Sequence, residues 1–212
     1  MRPRVITWPV QSTTSIAALQ TLGAAGKVTL NGSLVLPGAN IPPIVFPGYT
    51  RSITITSLNN LSGVNFTING VLNNAPLSEI LVGPDHDTVT SANIYDAITS
   101  ITTSAAAAAF SVGTGENGRT RWINFDYDML VPNYSVSVAY TATVSYTLNV
   151  TLDDPNVVAV PTVFTPVSAM TAASSSQFAS LTNPINYMNI TINSSDATGA
   201  LVVTFLQQGI AS

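Results

Sequence analysis

Hydrophobic and polar side chains alternate along much of this chain with a period of two, the spacing of a β-strand with one buried face. The clearest stretch is SVSVAYTATVSYTLNVT, residues 135–151, where apolar residues take every second position and Ser, Thr and Asn take most of the others. β-branched and aromatic residues favour strands, and neither Gly nor Pro interrupts the run. The pattern predicts one strand of about 55 Å at ~3.3 Å per residue, which would bend, cross between two sheets or project beyond its domain.

Further runs of the same kind predict shorter strands, separated by turns rich in Gly and Asn. The predicted strands are Lys27–Leu36, Ser52–Ser57, Val64–Asn69, Ser78–Val82, Ala97–Thr103, Phe110–Gly113, Trp122–Leu130, Val157–Pro161, Tyr187–Asn193 and Leu201–Gln207. The predicted turns are Asn31-Gly32, Ser62-Gly63, Asn69-Gly70, Gly83-Pro84, Asn117-Gly118 and Thr198-Gly199. Many short strands joined in this way indicate an all-β fold of antiparallel sheets, arranged as sandwich or barrel-like units.

Two segments admit a helical interpretation. SAAAAAF, residues 104–110, contains the best helix former, but it is short and its flanks are Thr- and Ser-rich. We expect an extended segment whose small side chains let two layers of the fold approach each other closely. A short helix is the alternative. Residues 167–181 predict mainly a loop, with room for one helical turn.

The sequence around Pro47 recurs around Pro184. PGYTRSITITSLNNLSG and PINYMNITINSSDATG align at one offset, which matches Ile53 with Ile190 and Ile55 with Ile192. This match indicates two related β units, although a β-rich composition also produces such matches by chance. The predicted organisation is an extended N-terminal arm, 1–26, a first β unit, 27–115, and a second unit, 119–212, that contains the long strand 135–151.

Charge is scarce in this chain. Hydrophobic residues make up 46% and charged residues 8%, with a net charge of −4 and Lys27 as the only lysine. Ordinary soluble domains carry roughly 25% charged residues. The acidic balance argues against nucleic-acid binding, which needs basic groups. With no cysteine, disulfides and thiolate metal sites are excluded.

No apolar run reaches the ~20 residues of a membrane helix, and the N-terminal residues lack the apolar core of a secretory signal. We therefore expect a soluble protein that is made in the cytoplasm and has no membrane partner.

The only histidine lies in VGPDHDTVT, between Asp85 and Asp87. A zinc site needs three or four converging ligands, and neither a second histidine nor a cysteine exists to complete one. A catalytic triad needs a nucleophile held near His86, and the abundance of Ser and Thr singles none out. We therefore interpret Asp85-His86-Asp87 as a turn, and we predict no catalytic, cofactor or metal site.

RTRWINFDYDML, residues 119–130, is the densest charged cluster. Arg and Asp interspersed with Trp and Tyr are typical of protein interfaces. One alternative is that Asp126 and Asp128 form a carboxylate pair that acts on a sugar. A second alternative is a carbohydrate-binding surface, formed by Trp122, Tyr127 and Tyr134 together with the Thr/Ser face of 135–151. The predicted interface residues are Arg2, Arg4, Trp8, Arg119, Arg121, Trp122, Asp126 and Asp128.

Strand edges add a further expectation. Soluble monomers usually protect exposed edges with lysine and other charges, and this chain has few. Its edges are therefore covered within the chain or completed by neighbouring chains, either further copies or another protein. The arginine- and proline-bearing N-terminal segment could reach across as an arm.

Long parts of the chain resemble virion proteins of tailed bacteriophages. The residues that carry this resemblance are SIAALQTLGAAGKVTLNGSLV, RSITITSLNNLSGVNFTINGVLNNAPLSEILVGPDHDTVTSANIYDAITSITTSAAAAAFSVGTG and NYMNITINSSDATGALVVTFLQQGI. They cover about residues 15–113 and 180–210.

The resemblance implies a non-enzymatic virion structural protein, in the first place a capsid decoration or cement protein that binds the major capsid protein. A tail or neck component is the alternative within the virion, and a carbohydrate-binding module is the alternative outside this class. The resemblance supplies no catalytic residues.

Overall fold

The computed structural model describes residues 3–36, 44–46, 49–125, 133–141, 143–158, 161–196 and 199–208. Their regular secondary structure is β-strand, as the alternation predicts, apart from one short 3-10 helix at Ser168–Met170. The strands are β1 (Arg4–Trp8), β2 (Ser12–Leu22), β3 (Gly26–Lys27), β4 (Ile44–Val45), β5 (Tyr49–Ser57), β6 (Asn65–Leu72), β7 (Ala75–Val82), β8 (Thr88–Thr90), β9 (Ala97–Thr103), β10 (Ala107–Thr120), β11 (Ile123–Asn124), β12 (Asn133–Thr141), β13 (Val144–Thr151), β14 (Gln177–Leu181), β15 (Tyr187–Ser195) and β16 (Ala200–Gln208). Within these ranges, no helix has the length and hydrophobicity needed to span a membrane.

The chain divides into two compact units. The first unit is Gln11–Glu116, and the second combines Met1–Val10 with Asn117–Ser212. The boundary falls inside β10, and Met1–Val10 belongs to the second unit although it precedes the first in sequence. The match between the segments at Pro47 and Pro184 falls on β5 in the first unit and β15 in the second, and in both strands the matched isoleucines are buried. A common origin of the two units stays a prediction.

The first unit is a β-sandwich. One sheet has the order β10-β5-β8, and β2 also pairs with β10. The other sheet has the order β3-β9-β6-β7, and β4 also pairs with β9. The core between them is aliphatic and aromatic, and the rings of Phe66 on β6 and Phe110 on β10 meet edge to face at 5.2 Å. Asn73 and Asn74, both with positive φ, form the two-residue turn between β6 and β7, a backbone conformation that suits hairpins.

The second unit is also built from two sheets. The first has the order β1-β16-β12-β14, and all its pairs are antiparallel. In the second, β15 pairs with β13, β11 and the end of β10. Phe125, directly after β11, lies edge to face with Tyr134 on β12 at 5.2 Å and with Phe205 on β16 at 6.3 Å. Aromatic packing of this kind joins the two sheets across the core.

The long alternating run, 135–151, is two strands and not one. β12 ends at Thr141 and belongs to the sheet with β1, β16 and β14, whereas β13 begins at Val144 and pairs with β15. Of the three possibilities for such a long run, the chain crosses between the two sheets. The alternation continues across the break because both strands turn their apolar face to the same core.

Several local predictions were wrong for identifiable reasons. Lys27–Leu36 is a strand only at Lys27, because its later backbone bonds to β2, with Gly32 N–H donating to Ile16 O at 3.0 Å. Asn69-Gly70 is a bulge inside β6, and Asn117-Gly118 lies within β10. Val157 and Val158, in the predicted strand Val157–Pro161, are not in a strand.

Other predictions need smaller corrections. Ala107 begins β10, so the alanine-rich segment is extended and not helical. The single helical turn in 167–181 is confirmed, and the same segment contains β14. The expected arm, 1–26, contributes β1, which pairs with β16, and β2, which pairs with β10 of the same chain.

Candidate interface surfaces

The predicted interface residues that the structure describes lie on or beside both sheets of the second unit. Arg4 is exposed on β1, whereas Trp8 at the end of the same strand is fully buried. The indole of Trp8 therefore serves the core of the second unit, which corrects its assignment to an interface. Arg2, Asp126 and Asp128 lie outside the described residues.

Arg119, Arg121 and Trp122 flank the other sheet of the second unit. Arg119 pairs with Thr191 of β15 and is half-buried, and Arg121 is exposed. Trp122 is half-buried, and its indole nitrogen is enclosed with no hydrogen-bond acceptor among the described residues. Arg119, Arg121 and Trp122 are therefore close together on one segment, whereas Arg4 lies on the other sheet of the second unit, in β1. The structure does not place Arg4 on that segment.

A network of side-chain amides and hydroxyls, missed at the level of sequence, joins β13 and β15. Asn149 Nδ2 donates to Asn189 Oδ1 at 3.1 Å and to Thr191 Oγ1 at 2.7 Å. Asn193 Nδ2 donates to Thr147 Oγ1 at 3.0 Å. We call these five residues the amide network. In the sequence, these residues appear only as the polar positions of an alternating strand. That pattern predicts which face of the strand is polar, but not which residues pair across neighbouring strands.

The sheet that contains β14 has an outward face without charges. Antiparallel register lines up Val5, Thr204, Ser137 and Phe178 in one row across all four strands. Val5 is 58% exposed and Phe178 is 67% exposed. We call this side the uncharged face. Its described residues are Val5, Thr7, Ser135, Ser137, Ala139, Phe178, Ser180, Val202, Thr204 and Leu206.

The uncharged face differs from a typical soluble surface in composition. Hydroxyl groups on Thr and Ser keep it hydrated, while exposed Val and Phe make its desolvation favourable. An open sheet face with this mixture suits contact with another protein surface better than the binding of a small molecule, which prefers a concave site.

Asp85, His86 and Asp87 form an exposed turn. His86 has a positive φ of 60° and its Nδ1 lies 2.7 Å from Asp85 Oδ1. Asp87 Oδ1 accepts a hydrogen bond from the Asp85 N–H at 3.2 Å, and the His86 N–H donates to Asn59 O at 3.3 Å. In the described part of the chain, no cluster of three or more His, Asp or Glu residues could hold a metal ion.

The ionisable groups inside the first unit hold the fold together. The Glu79 carboxylate on β7 accepts hydrogen bonds from the Ala92 N–H at 2.7 Å, the Asn93 N–H at 3.1 Å and the buried Tyr95 hydroxyl at 3.0 Å. Burial and, secondly, the nearby Glu79 charge raise the pKa of Tyr95 above its ordinary value. Glu79 thereby ties the loop before β9 to the edge of the sheet.

Arg51 is another buried ionisable group that the sequence did not single out. Its Nε donates to the Gly115 carbonyl at 2.8 Å, and burial lowers the pKa of the guanidinium to about 10, partly opposed by Tyr49. The Arg51 N–H also donates to the Tyr95 carbonyl at 3.0 Å, and the Tyr95 N–H returns a bond to the Arg51 carbonyl. Its role in the first unit is structural.

No protein-family model and no curated protein matches this chain.

Proposed function

We propose that this protein is a structural component of a tailed-bacteriophage particle, specifically a decoration or cement protein that binds the outside of the capsid shell. Its partner in this role is the major capsid protein, with further copies of the chain as neighbours. The observation that carries the proposal is the uncharged face, with Val5 and Phe178 exposed on opposite edge strands of one sheet.

The residue patterns that resemble tailed-phage virion proteins support this class of partner. They lie in both units, in β2, in 51–113 and in β15 and β16. The low charge supports it as well, because a surface that is covered in an assembly has less need of the charges that keep free proteins apart. This role requires no reaction, and we assign the protein none.

The proposed mechanism is stabilisation by mass action. A protein that binds the assembled, expanded shell but not its dissociated subunits adds the free energy of binding to the stability of the shell. The gain is about 2.7 kcal/mol per site when the free protein is at about 100 times its Kd. Each added copy would also bridge neighbouring capsid subunits and oppose internal pressure.

The test is to mix the purified protein with expanded shells that lack it, and with unexpanded shells as the control. We expect binding and a rise in the melting temperature of the expanded shells only, increasing with protein concentration. Binding without any rise contradicts cementing, and no binding to either kind of shell contradicts the proposal as a whole.

A tail or neck position is the second proposal within the virion. The division of 135–151 into β12 and β13 removes the single long strand that would have lined a tube. Copy number in intact particles separates the positions, because decoration requires a copy at repeated sites over the head and a neck component forms a single ring.

Carbohydrate binding has one specific observation in its favour, the amide network. Ordered amides and hydroxyls on one sheet can bond sugar hydroxyls, and half-buried Trp122 lies on a segment beside the same sheet. Tyr134, expected to contribute, is fully buried and cannot, and Tyr127 lies outside the described residues. A glycan-array signal abolished by both Asn149→Ala and Trp122→Ala would favour this function.

A further inference from the structure

The edge strands of the described sheets differ in how they are protected. The outer edge of β13 is covered by isolated bridges from Phe164 to Val150 and from Ala173 to Tyr146. β7 is tied to the following loop through Glu79, and β1 carries exposed Arg4. Among these four edge strands, β14 alone has neither a charge nor a described covering segment, which suits it to accept another strand.

β14, with the sequence QFASL, pairs on one side with β12 over its whole length. Within the described residues it has no second strand partner. The sequence around it is uncharged over a long range, since no Asp, Glu, Lys, Arg or His occurs from Pro155 to Ser195. The usual electrostatic barrier to strand addition is therefore missing at this edge.

An apolar groove of about 220 Å³ adjoins the end of β14. Leu181, the last residue of β14, forms part of its wall, opposite Leu152 and Phe164, which are 62% and 55% exposed. The groove is lined by Val150, Thr151, Leu152, Phe164, Pro166, Leu181, Asn183, Pro184 and Ile185. A groove of this size and lining can accept one large aliphatic or aromatic side chain.

We propose that the β14 edge and the groove together form a strand-addition site for an extended, uncharged segment of another protein. The backbone of the segment continues the sheet beside β14, and one large apolar side chain near its end enters the groove beyond Leu181. Main-chain hydrogen bonds then supply affinity, and the groove supplies selectivity. This inference goes beyond the proposed function, because it names a contact that does not require the partner to be a capsid protein.

A second copy of this chain fits the site less well than a different protein. Antiparallel pairing of two β14 strands about Ala179 places Gln177 of one copy opposite Leu181 of the other, and Ser175 opposite Asn183. The residues that approach the groove in that arrangement are Ala173, Ser174 and Ser175, which are small. They would leave the groove unfilled, so we assign the site to a partner that brings a large side chain.

A single contact of this kind is weak. A short added strand with one anchored side chain buries less than the roughly 1,200–2,000 Å² of a standard interface. Many such sites acting together on a lattice would still hold strongly, because each additional site is engaged at a high effective concentration.

The experiment titrates the isotopically labelled chain with an acetylated and amidated heptapeptide of alternating threonine and valine with leucine near one end. We expect amide chemical-shift changes confined to β14 and the residues that line the groove. A peptide with aspartate in place of the leucine should bind at least about tenfold more weakly, because it loses the buried side chain.

Protein variants locate the site independently. Phe178→Lys places a charge on the β14 edge and Leu152→Asp places one in the groove, and each should weaken peptide binding by about tenfold or more. Thr7→Lys is the matched control, since it adds the same charge on the same face at the opposite edge strand, and it should leave binding unchanged. All three positions are exposed, so folding should be retained.

The inference is overturned by any of three results. These are no peptide binding at millimolar concentration, shift changes centred on β1, and equal affinity for the leucine and aspartate peptides. Self-association of the unliganded chain that Phe178→Lys abolishes would assign the edge to a second copy and contradict the proposed partner. None of these results bears on whether the whole protein binds capsid shells.

Discussion

Replacing Glu79 by alanine tests how the edge strand β7 is held to the first unit. The side chain accepts three hydrogen bonds, from two backbone N–H groups and the Tyr95 hydroxyl, at 2.7, 3.1 and 3.0 Å. Hydrogen bonds to a charged group contribute about 1.5–3 kcal/mol each when buried. Glu79 is only half-buried and its bond to Ala92 is exposed, so we take about 1 kcal/mol for each bond. Glu79→Ala should therefore lower the free energy of unfolding of the first unit by about 3 kcal/mol.

Glu79→Gln refines the same test. One carbonyl oxygen remains as an acceptor, but the charge is lost and an N–H₂ group faces donors, so we expect a loss of about 1.5 kcal/mol. Ser78→Ala is the control, because Ser78 is exposed on the opposite side of the same strand, and it should change stability by less than about 0.5 kcal/mol.

The assay combines urea unfolding followed by circular dichroism with amide hydrogen exchange. Tryptophan fluorescence does not report on the first unit, since Trp8 and Trp122 both belong to the second. In Glu79→Ala, the amides of Ala92 and Asn93 should exchange faster than in the wild type. Equal stability of Glu79→Ala and Ser78→Ala, or unchanged exchange at both amides, would refute the assignment of Glu79 as the tie between strand and loop.

Three further predictions concern the same unit. The pKa of the Tyr95 hydroxyl is raised above 10.0, so the stability that this group contributes is complete below that pH and is lost as the pH rises further. Tyr95→Phe should lower the free energy of unfolding by about 1 kcal/mol near neutral pH. On alkaline titration the variant should lose less stability than the wild type. The pKa of Arg51 is lowered to about 10, so its contribution to stability changes with pH in the opposite direction. The test is therefore the difference in unfolding free energy between Tyr95→Phe and the wild type, measured by urea unfolding across pH. Arg51→Met leaves the Gly115 carbonyl without its Arg51 donor and should lower stability by about 2 kcal/mol, and a change below about 1 kcal/mol would contradict a structural role. Gly70→Ala places a methyl group against the Ala97 carbonyl and the Tyr95 ring and should cost about 2 kcal/mol or more, whereas Gly63→Ala, which meets open space, serves as the control in the same melts.

The alternation of side chains was enough to predict the fold class and many of the strands. Ile53, Ile55, Ile190 and Ile192 sit at every second position, and all four are buried on central strands. A strand with one buried face must place its apolar residues two apart, so this feature can be inferred from a short window of sequence. The scarcity of charge was likewise visible in composition alone.

Features that depend on distant contacts could not be predicted in this way. The break between β12 and β13 leaves the alternation intact, so nothing local marks the change of sheet. Gly70 is a typical turn residue by sequence, yet it lies inside β6 where Tyr95 and Ala97 approach closely. In the sequence, Glu79 is a single carboxylate within an apolar strand. Its three hydrogen-bond donors come from the loop before β9 and from Tyr95, and their approach could not be predicted from the residues around Glu79.

The surfaces on which the proposed contacts depend show the same division. The absence of charge from Pro155 to Ser195 and the alternation in β15 can both be seen in the order of residues. The folded chain was needed to show that β14 forms an edge, that Trp8 is buried and Phe178 exposed, and that Leu181, Leu152 and Phe164 line one groove. Periodicity specifies which face of a strand avoids water, whereas neighbours, edges and cavities arise from pairing between segments far apart in the chain.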